Sequence, residues 1–396
     1  MKEIFISKKE NLKTIALLED GILTEKYEES EEQNRLEGNI YLGKVSNVLP
    51  GLQAAFIDIG CKKNTFIHLK DIMPKYDVKK EESNSKLDKK NIKEIIKPGM
   101  PILVQVLRDA TNKKGAKATT HISLTSRFLI LMPDTDIITI SQKIIDEQEK
   151  ERLTKIIKEI LPENCGVIIR TSAINRNKEE LERDLNLLLK KWNDIKRISS
   201  NNKNIPRLIY KTHGIIKKIL IDLIDHDIGK IIIDDEEIYN YVINLLNQIE
   251  PNNNIEVKLE KDKDILSIYN LSEQIERADK RKIWLKCGGF ITIDKTEALT
   301  AIDVNSGKYI GSQKLEQTVF LVNKEASIEI AKQLRLKDIG GIIIIDYINM
   351  QEEENKKKII QVLEENLKKD RSKTQVIGFS KLNLLELTRK HICSND

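Results

Sequence analysis

Apolar and polar positions alternate most regularly in the last third of the chain. Residues 288–294, GGFITID, and 299–305, LTAIDVN, have the length and apolar content of strands. From Leu315 to Leu336 apolar residues recur at Val319, Val322, Ala326, Ile330 and Leu334, a spacing of three to four that predicts a helix with one buried stripe. Gly340-Gly341 ends it. The run GIIIIDYINM (341–350) then predicts a fully buried strand, and a second helix is expected from Glu352 to Lys369 with Ile359, Ile360, Val362, Leu363 and Leu367 on its inner face. Strand, helix, strand, helix in that order implies a sheet covered by helices, with its working edge where the strands end.

Upstream the elements are shorter. Glu3 to Glu25 reads as two strands around a polar turn at Lys8 to Lys13, with a second turn at Asp20-Gly21, after which the chain becomes acidic. From Gly38 the pattern is of five or six short strands punctuated by Gly and Pro, in GNIYLGKVSNVLPGLQAAFIDIGCKKNTFIHLKDI, PILVQVLRDA and ATTHISLTS, which suggests a small closed barrel of the OB type. The charged stretch Lys75 to Lys97 lacks apolar periodicity and reads as a solvated loop. Helical patterns through Ile144 to Leu161 and Glu179 to Trp192 flank the strand GVIIRTSA, and the stretch Ile205 to Tyr269 pairs the strands GKIIIDD and IEVKLE with the helix EEIYNYVINLLNQI. Both segments are α/β.

Composition narrows the class. With 396 residues and 40% hydrophobic content the chain can bury more than one core. Its longest aliphatic run, Ile342 to Ile345, has strand length, far short of the roughly 20 apolar residues that cross a bilayer, and the N-terminus has no signal-like apolar core. A cytoplasmic protein away from membranes is expected. Cys61, Cys165, Cys287 and Cys393 form no Cys-x-x-Cys pair, which removes a disulfide framework and a self-contained zinc knuckle. The formal net charge of +5, from 67 basic and 62 acidic residues, is too even to indicate nucleic acid by itself. Between Pro101 and Arg127, however, Arg108, Lys113, Lys114, Lys117 and Arg127 stand against Asp109 alone.

The candidate chemistry lies in two acids. Asp303 follows LTAI and Asp346 follows IIII, each where a buried strand emerges. Neighbouring strands would bring them together, and a hard divalent cation with oxygen ligands, magnesium above all, is the natural occupant between two such charges. Asn305 falls on the same side as Asp303 if the strand continues. An acid at a strand end more often caps a helix or closes a turn, so periodicity alone supports a metal site in an α/β domain and no more. Phe56 and Phe66, interleaved with Lys44, Lys62, Lys63 and Lys70, have the composition of a single-strand-binding surface, although small-barrel phenylalanines are more often core.

The run GGFITIDKTEALTAIDVNSGKYIG, followed by LEQTVFLVNKEASIEIAKQLRLKDIGGIIIIDYINM, resembles the catalytic core of the bacterial ribonuclease E/G family, and the likeness extends through the barrel opening, IIRTSA and SEQIERA. The resemblance implies a magnesium-dependent endoribonuclease closer to the G branch, cutting single-stranded A/U-rich RNA in ribosomal RNA maturation and messenger decay. Asp303 and Asp346 would be its metal ligands, and Asn305 would position water or substrate. Phe56, Phe66, Lys113 and Lys114 would bind RNA, and Arg170 with Thr171 would hold a 5′-monophosphate. The implied fold is α/β with several subdomains. Residues 1–37 begin an RNase H-like subdomain, 38–127 form an inserted OB-type barrel and 128–214 a 5′-phosphate sensor. Residues 215–278 complete the RNase H-like part, and 279–396 form a DNase I-like catalytic subdomain. A non-catalytic RNA-binding or ribosome-assembly factor is the alternative.

Family members commonly continue into a Cys-Pro-x-Cys motif through which two chains share zinc. Here the sequence ends KHICSND, with Cys393 alone near that place. One thiolate per chain cannot close a four-ligand site, so no structural zinc is expected, and the resemblance leaves room for a homodimer without that link.

Overall fold

The computed structural model describes residues 2–392 apart from 31–34, 73–90, 111–114, 201–203, 213, 225–227, 251–252 and 308–314. Lys113, Lys114 and Cys393 lie outside the described residues. Two compact units emerge, one from residues 1–33 and 226–395 and the other from 34–225.

The first unit opens with β1 (Lys2–Lys9), β2 (Leu12–Glu19) and β3 (Ile22–Ser30), an antiparallel meander. The sequence suggested only two strands here. The third forms because the acidic stretch keeps a period of two, turning Leu23, Glu25 and Tyr27 inward. Glu25 is buried and accepts hydrogen bonds from Tyr27 Oη at 2.6 Å and Arg335 Nε at 2.8 Å, with Arg371 Nη2 at 2.9 Å. Burial pushes this carboxyl up, but the Arg371 and Arg335 guanidinium groups and the Tyr27 hydroxyl outweigh it and hold it below the usual glutamate range. A depressed carboxyl pKa stabilises the fold above the ordinary glutamate value, and that stability is lost as pH falls through the lowered one. Glu25→Gln is therefore expected to cost about 2 kcal/mol at neutral pH. The difference from wild type should shrink in acid, as urea unfolding at the two pH values would read.

The second unit begins with β4 (Ile40–Leu49), β5 (Ala54–Asp58), β6 (Thr65–His68), α1 (Ile92–Ile95), β7 (Pro101–Arg108) and β8 (Lys117–Thr119). The strands run in the order β4-β5-β6-β8-β7, and β7 pairs again with β4, so the sheet closes into a five-stranded barrel. Ile57, Ile67, Val104 and Ala118 fill it. The end of the charged stretch is not loop as expected: α1 buries Ile92 fully and Ile96 follows it into the barrel core, an i, i+4 pair too short to register as periodicity. After the barrel come β9 (Leu124–Thr125), β10 (Leu129–Pro133), β11 (Ile138–Ile140), α2 (Glu147–Ile160), β12 (Cys165–Ile169) and α3 (Lys178–Ser199). They form a sheet of order β11-β12-β10-β9 against which Leu153, Ile157, Leu181, Leu185 and Leu188 pack. β13 (Arg207–Tyr210) then pairs with β4, and α4 (Ile215–Leu223) follows.

The chain returns to the first unit with β14 (Ile228–Ile233), α5 (Glu236–Ile249) and β15 (Glu256–Leu259). Both strands join β1 in parallel, giving the order β15-β14-β1-β2-β3. After α6 (Ile265–Ile268) and α7 (Leu271–Asp279) comes the last sheet. Its elements are β16 (Lys282–Trp284), β17 (Phe290–Lys295), β18 (Thr300–Asn305), α8 (Leu315–Leu336), β19 (Gly341–Asp346), α9 (Glu353–Leu367), β20 (Thr374–Phe379) and β21 (Leu384–Arg389). The order is β16-β17-β18-β19-β21-β20, antiparallel except for β18 and β19, which α8 joins in parallel. The helical stripe Val319, Val322, Ala326, Ile330 and Leu334 is buried as its spacing predicts, together with Ile359, Leu363 and Leu367 of α9.

One expectation fails here. β19 is not buried on both faces: Ile343 and Ile345 are fully covered, whereas Ile342 is 52% exposed and Asp346 is also exposed. The reason is that α8 and α9 contribute to a single core on one side of the sheet, and the other side stays open. No helix among the described residues is long and apolar enough to cross a membrane.

Candidate active site

The open face of the last sheet carries the predicted acids. Asp303 and Asp346 are register partners across the parallel pair β18 and β19. Partners in neighbouring strands stand about 4.8 Å apart and point to the same face. Asp346 is the last residue of its strand as the sequence suggested, but β18 runs on past Asp303 to Asn305. That extension puts Asn305 on the same face, where its Nδ2 donates to Asp303 Oδ2 at 2.5 Å. The cross-strand row reads Lys282, Thr292, Asp303, Asp346, Leu384.

Among the described residues neither carboxylate has an ion-pair partner. Asp294 of the same sheet, by contrast, is compensated, held by Arg281 Nε at 2.5 Å and Nη2 at 2.7 Å. Like charges directly opposite on adjacent strands destabilise a sheet. An exposed, uncompensated pair in this position therefore has the character of a cation site. The described residues include no group of three or more His, Cys, Asp or Glu arranged for a metal, so the donors on offer are the two carboxylates themselves.

What holds the pair was not read from the sequence. Asn323 of α8 is fully buried, and its amide donates to Ile348 O at 2.7 Å and accepts from Ile348 N at 3.1 Å, clamping the chain just beyond Asp346. Ser327 Oγ lies 2.8 Å from Tyr347 Oη. Glu325 accepts from Cys287 N at 3.0 Å and also from Lys286 N, which sets the turn between β16 and β17. Past Asn305 the chain needs glycine: Gly307 has φ +58°, and a Cβ there would meet Gly288 O at 2.4 Å. The one available signal was polar residues interrupting an apolar helix, Asn323 and Ser327 flanking Ala326.

On the barrel, Phe56 and Phe66 are direct cross-strand partners, with ring centroids 6.0 Å apart and planes at 69°. They alternate with the buried Ala55, Ile57, Thr65 and Ile67, so they project from the outer wall and are not core. Lys117 is the register partner of Phe66 and ion-pairs with Asp71 at 2.9 Å.

Arg170 and Thr171, expected to end the strand GVIIRTSA, lie just beyond β12, which stops at Ile169. Thr171 is exposed, its Oγ1 3.2 Å from Ser141 Oγ. Arg170 is engaged: Nη1 donates to Ser126 O at 2.8 Å and Arg127 O at 3.2 Å, and Nη2 pairs with Asp222 of α4. An anion reaching this guanidinium meets a carboxylate already in place.

Residues 123–392 match the model of the Ribonuclease E/G family. The chain belongs to the ribonuclease E/G family. Ribonuclease G of Escherichia coli is 39% identical over 382 residues, covering 95% of this chain and 77% of that protein. Ribonuclease G of Haemophilus influenzae is 36% identical over 389 residues, 98% of this chain and 79% of that protein. Ribonuclease E of Buchnera aphidicola subsp. Schizaphis graminum is 35% identical over 384 residues, 96% of this chain and 39% of that protein. The ribonuclease E/G family match takes in Arg170, Asp303 and Asp346, and the pairwise similarity at this coverage extends through the barrel as well.

Proposed function

We propose that this ribonuclease E/G family member is a divalent-metal-dependent endoribonuclease that cuts single-stranded A/U-rich RNA in RNA processing and decay. The carrying observation is the side-by-side, uncompensated Asp303–Asp346 pair on an open sheet face. Two carboxylates suit magnesium, which takes one or two acidic ligands and fills the rest of its shell with water and phosphate oxygens. Bound there, the ion would supply charge to the phosphoryl oxygens and lower the pKa of a coordinated water. Asp303 and Asp346 hold it, and Asn305, tied to Asp303, fixes that carboxylate's direction and offers its amide oxygen to a water. The open face leaves room for an extended strand, and Phe56 with Phe66 offers aromatic surface for stacked bases elsewhere on the chain. Lys113 and Lys114 supply cations to the same RNA. We assign the segments 1–37 with 215–278, 38–127, 128–214 and 279–396 to the RNase H-like, OB-type, 5′-phosphate-sensing and DNase I-like subdomains.

The reading is tested by incubating a short 5′-labelled A/U-rich RNA with the protein and magnesium. Internal cuts that stop on chelation support it, and tight binding without cutting would favour an RNA-binding factor instead. The 5′-phosphate role of Arg170 and Thr171 has its own test. Arg170→Ala is expected to reduce the preference for monophosphorylated over hydroxyl-ended RNA about tenfold, the worth of a charge-assisted hydrogen bond. Asp222→Asn should raise that preference by freeing the guanidinium. An equal loss on both RNA ends in Arg170→Ala would make Arg170 purely structural.

A further inference from the structure

We infer that Trp284 and Phe290 form a base-stacking subsite for the RNA strand beside the Asp303–Asp346 pair. The inference rests on the endonuclease reading above and specifies where the strand lies. Trp284, Phe290 and Asn305 are successive register partners across β16, β17 and β18. They make up the row next to the one containing Lys282, Asp303 and Asp346, on the same face. At about 4.8 Å per strand, Trp284 lies roughly 10 Å across the sheet from Asn305.

The aromatic pair has the features of a platform and not of a core. Trp284 is 59% exposed on an edge strand, whereas the chain's other tryptophan, Trp192 of α3, is buried in the core. The Trp284 and Phe290 rings meet at 5.3 Å and 60°, edge to face. Lys282 Nζ sits 3.6 Å from the Phe290 centroid and 4.3 Å from that of Trp284. This ammonium braces the two rings from one side and leaves most of the indole open, while placing a positive charge where a phosphate next to a stacked base would fall. A tryptophan face accepts any unpaired base, so the subsite contributes affinity and placement without reading sequence. Its occupant is a base of the strand whose phosphodiester lies over the two carboxylates.

With Trp192→Phe, Trp284 becomes the sole tryptophan. Titrating that protein, carrying Asp303→Asn to prevent cutting, with a short single-stranded RNA is expected to quench its emission and shield it from acrylamide. In the cleaving protein, Trp284→Leu should raise KM for the same RNA about tenfold with little change in kcat, and Trp284→Phe should restore most of it. An abasic residue walked along the substrate should weaken wild type at one position near the cut and leave Trp284→Leu indifferent there. Unchanged emission, or an unchanged KM in Trp284→Leu, overturns the inference while the endonuclease reading stands. Should the protein cut no RNA, that reading fails, and the quenching titration still decides whether the rings take a base.

Discussion

Asp303→Asn and Asp346→Asn are each expected to slow RNA cleavage about a thousandfold, the several kcal/mol that a positioned divalent ion contributes to a phosphoryl transition state. The fold should not suffer. In metal-free buffer the two charges repel across one strand spacing, so removing either should leave thermal stability unchanged or raise it by a few tenths of a kcal/mol. Adding magnesium should raise the melting temperature of wild type and do so much less in either variant. A cleavage time course beside a melting curve, with and without the ion, reads both effects. Undiminished cutting by either variant would remove these residues from the site.

Arg389→Met is expected to cost about 4 kcal/mol, the largest stability loss anticipated for a single change here. Arg389 is fully buried on β21. Its Nε donates to Asp370 Oδ2 at 2.7 Å, and Nη1 donates to Asp338 Oδ1 and Ile339 O, both at 2.8 Å. Removing it strands two carboxylates in the interior, since Asp338 and Asp370 are 6% and 4% exposed. It also unties the junctions before β19 and after α9 that Asp338 and Asp370 anchor. Urea unfolding of the variant should show a lower midpoint with an unaltered slope. A midpoint within experimental scatter of wild type would mean that the interior relaxes around the lost cation.

How much of this was legible in the sequence depended on range. Local periodicity located α8, α9 and β19, because a stripe every three or four residues and an isoleucine run bounded by glycines each satisfy one geometry. The placement of the two acids and Asn305 on one face was legible for the same reason, as polar residues closing apolar runs. Period two in β3 runs through an acidic stretch whose charges hide the alternation, and the lone turn α1 is too short to announce itself. The open face of β19 could not be seen at all: isoleucines at 342 and 344 look identical to those at 343 and 345 until the helices choose a side. Asn323, Asp222 and Arg389 lay beyond reach because each acts on a partner distant along the chain.

The parallel register of β18 against β19 has a further consequence. Alternation along a strand means that sliding β18 by one residue would turn Val304 outward and bury Asp303, so a misregistered sheet has no acid pair to offer. The two acids come from strands joined only through α8, and they meet only once that helix has docked and the crossover has closed. For an endoribonuclease that cuts at this pair, as proposed above, this is an interlock. A misregistered copy would lack the proposed site, and competence to cut would arrive together with the native fold.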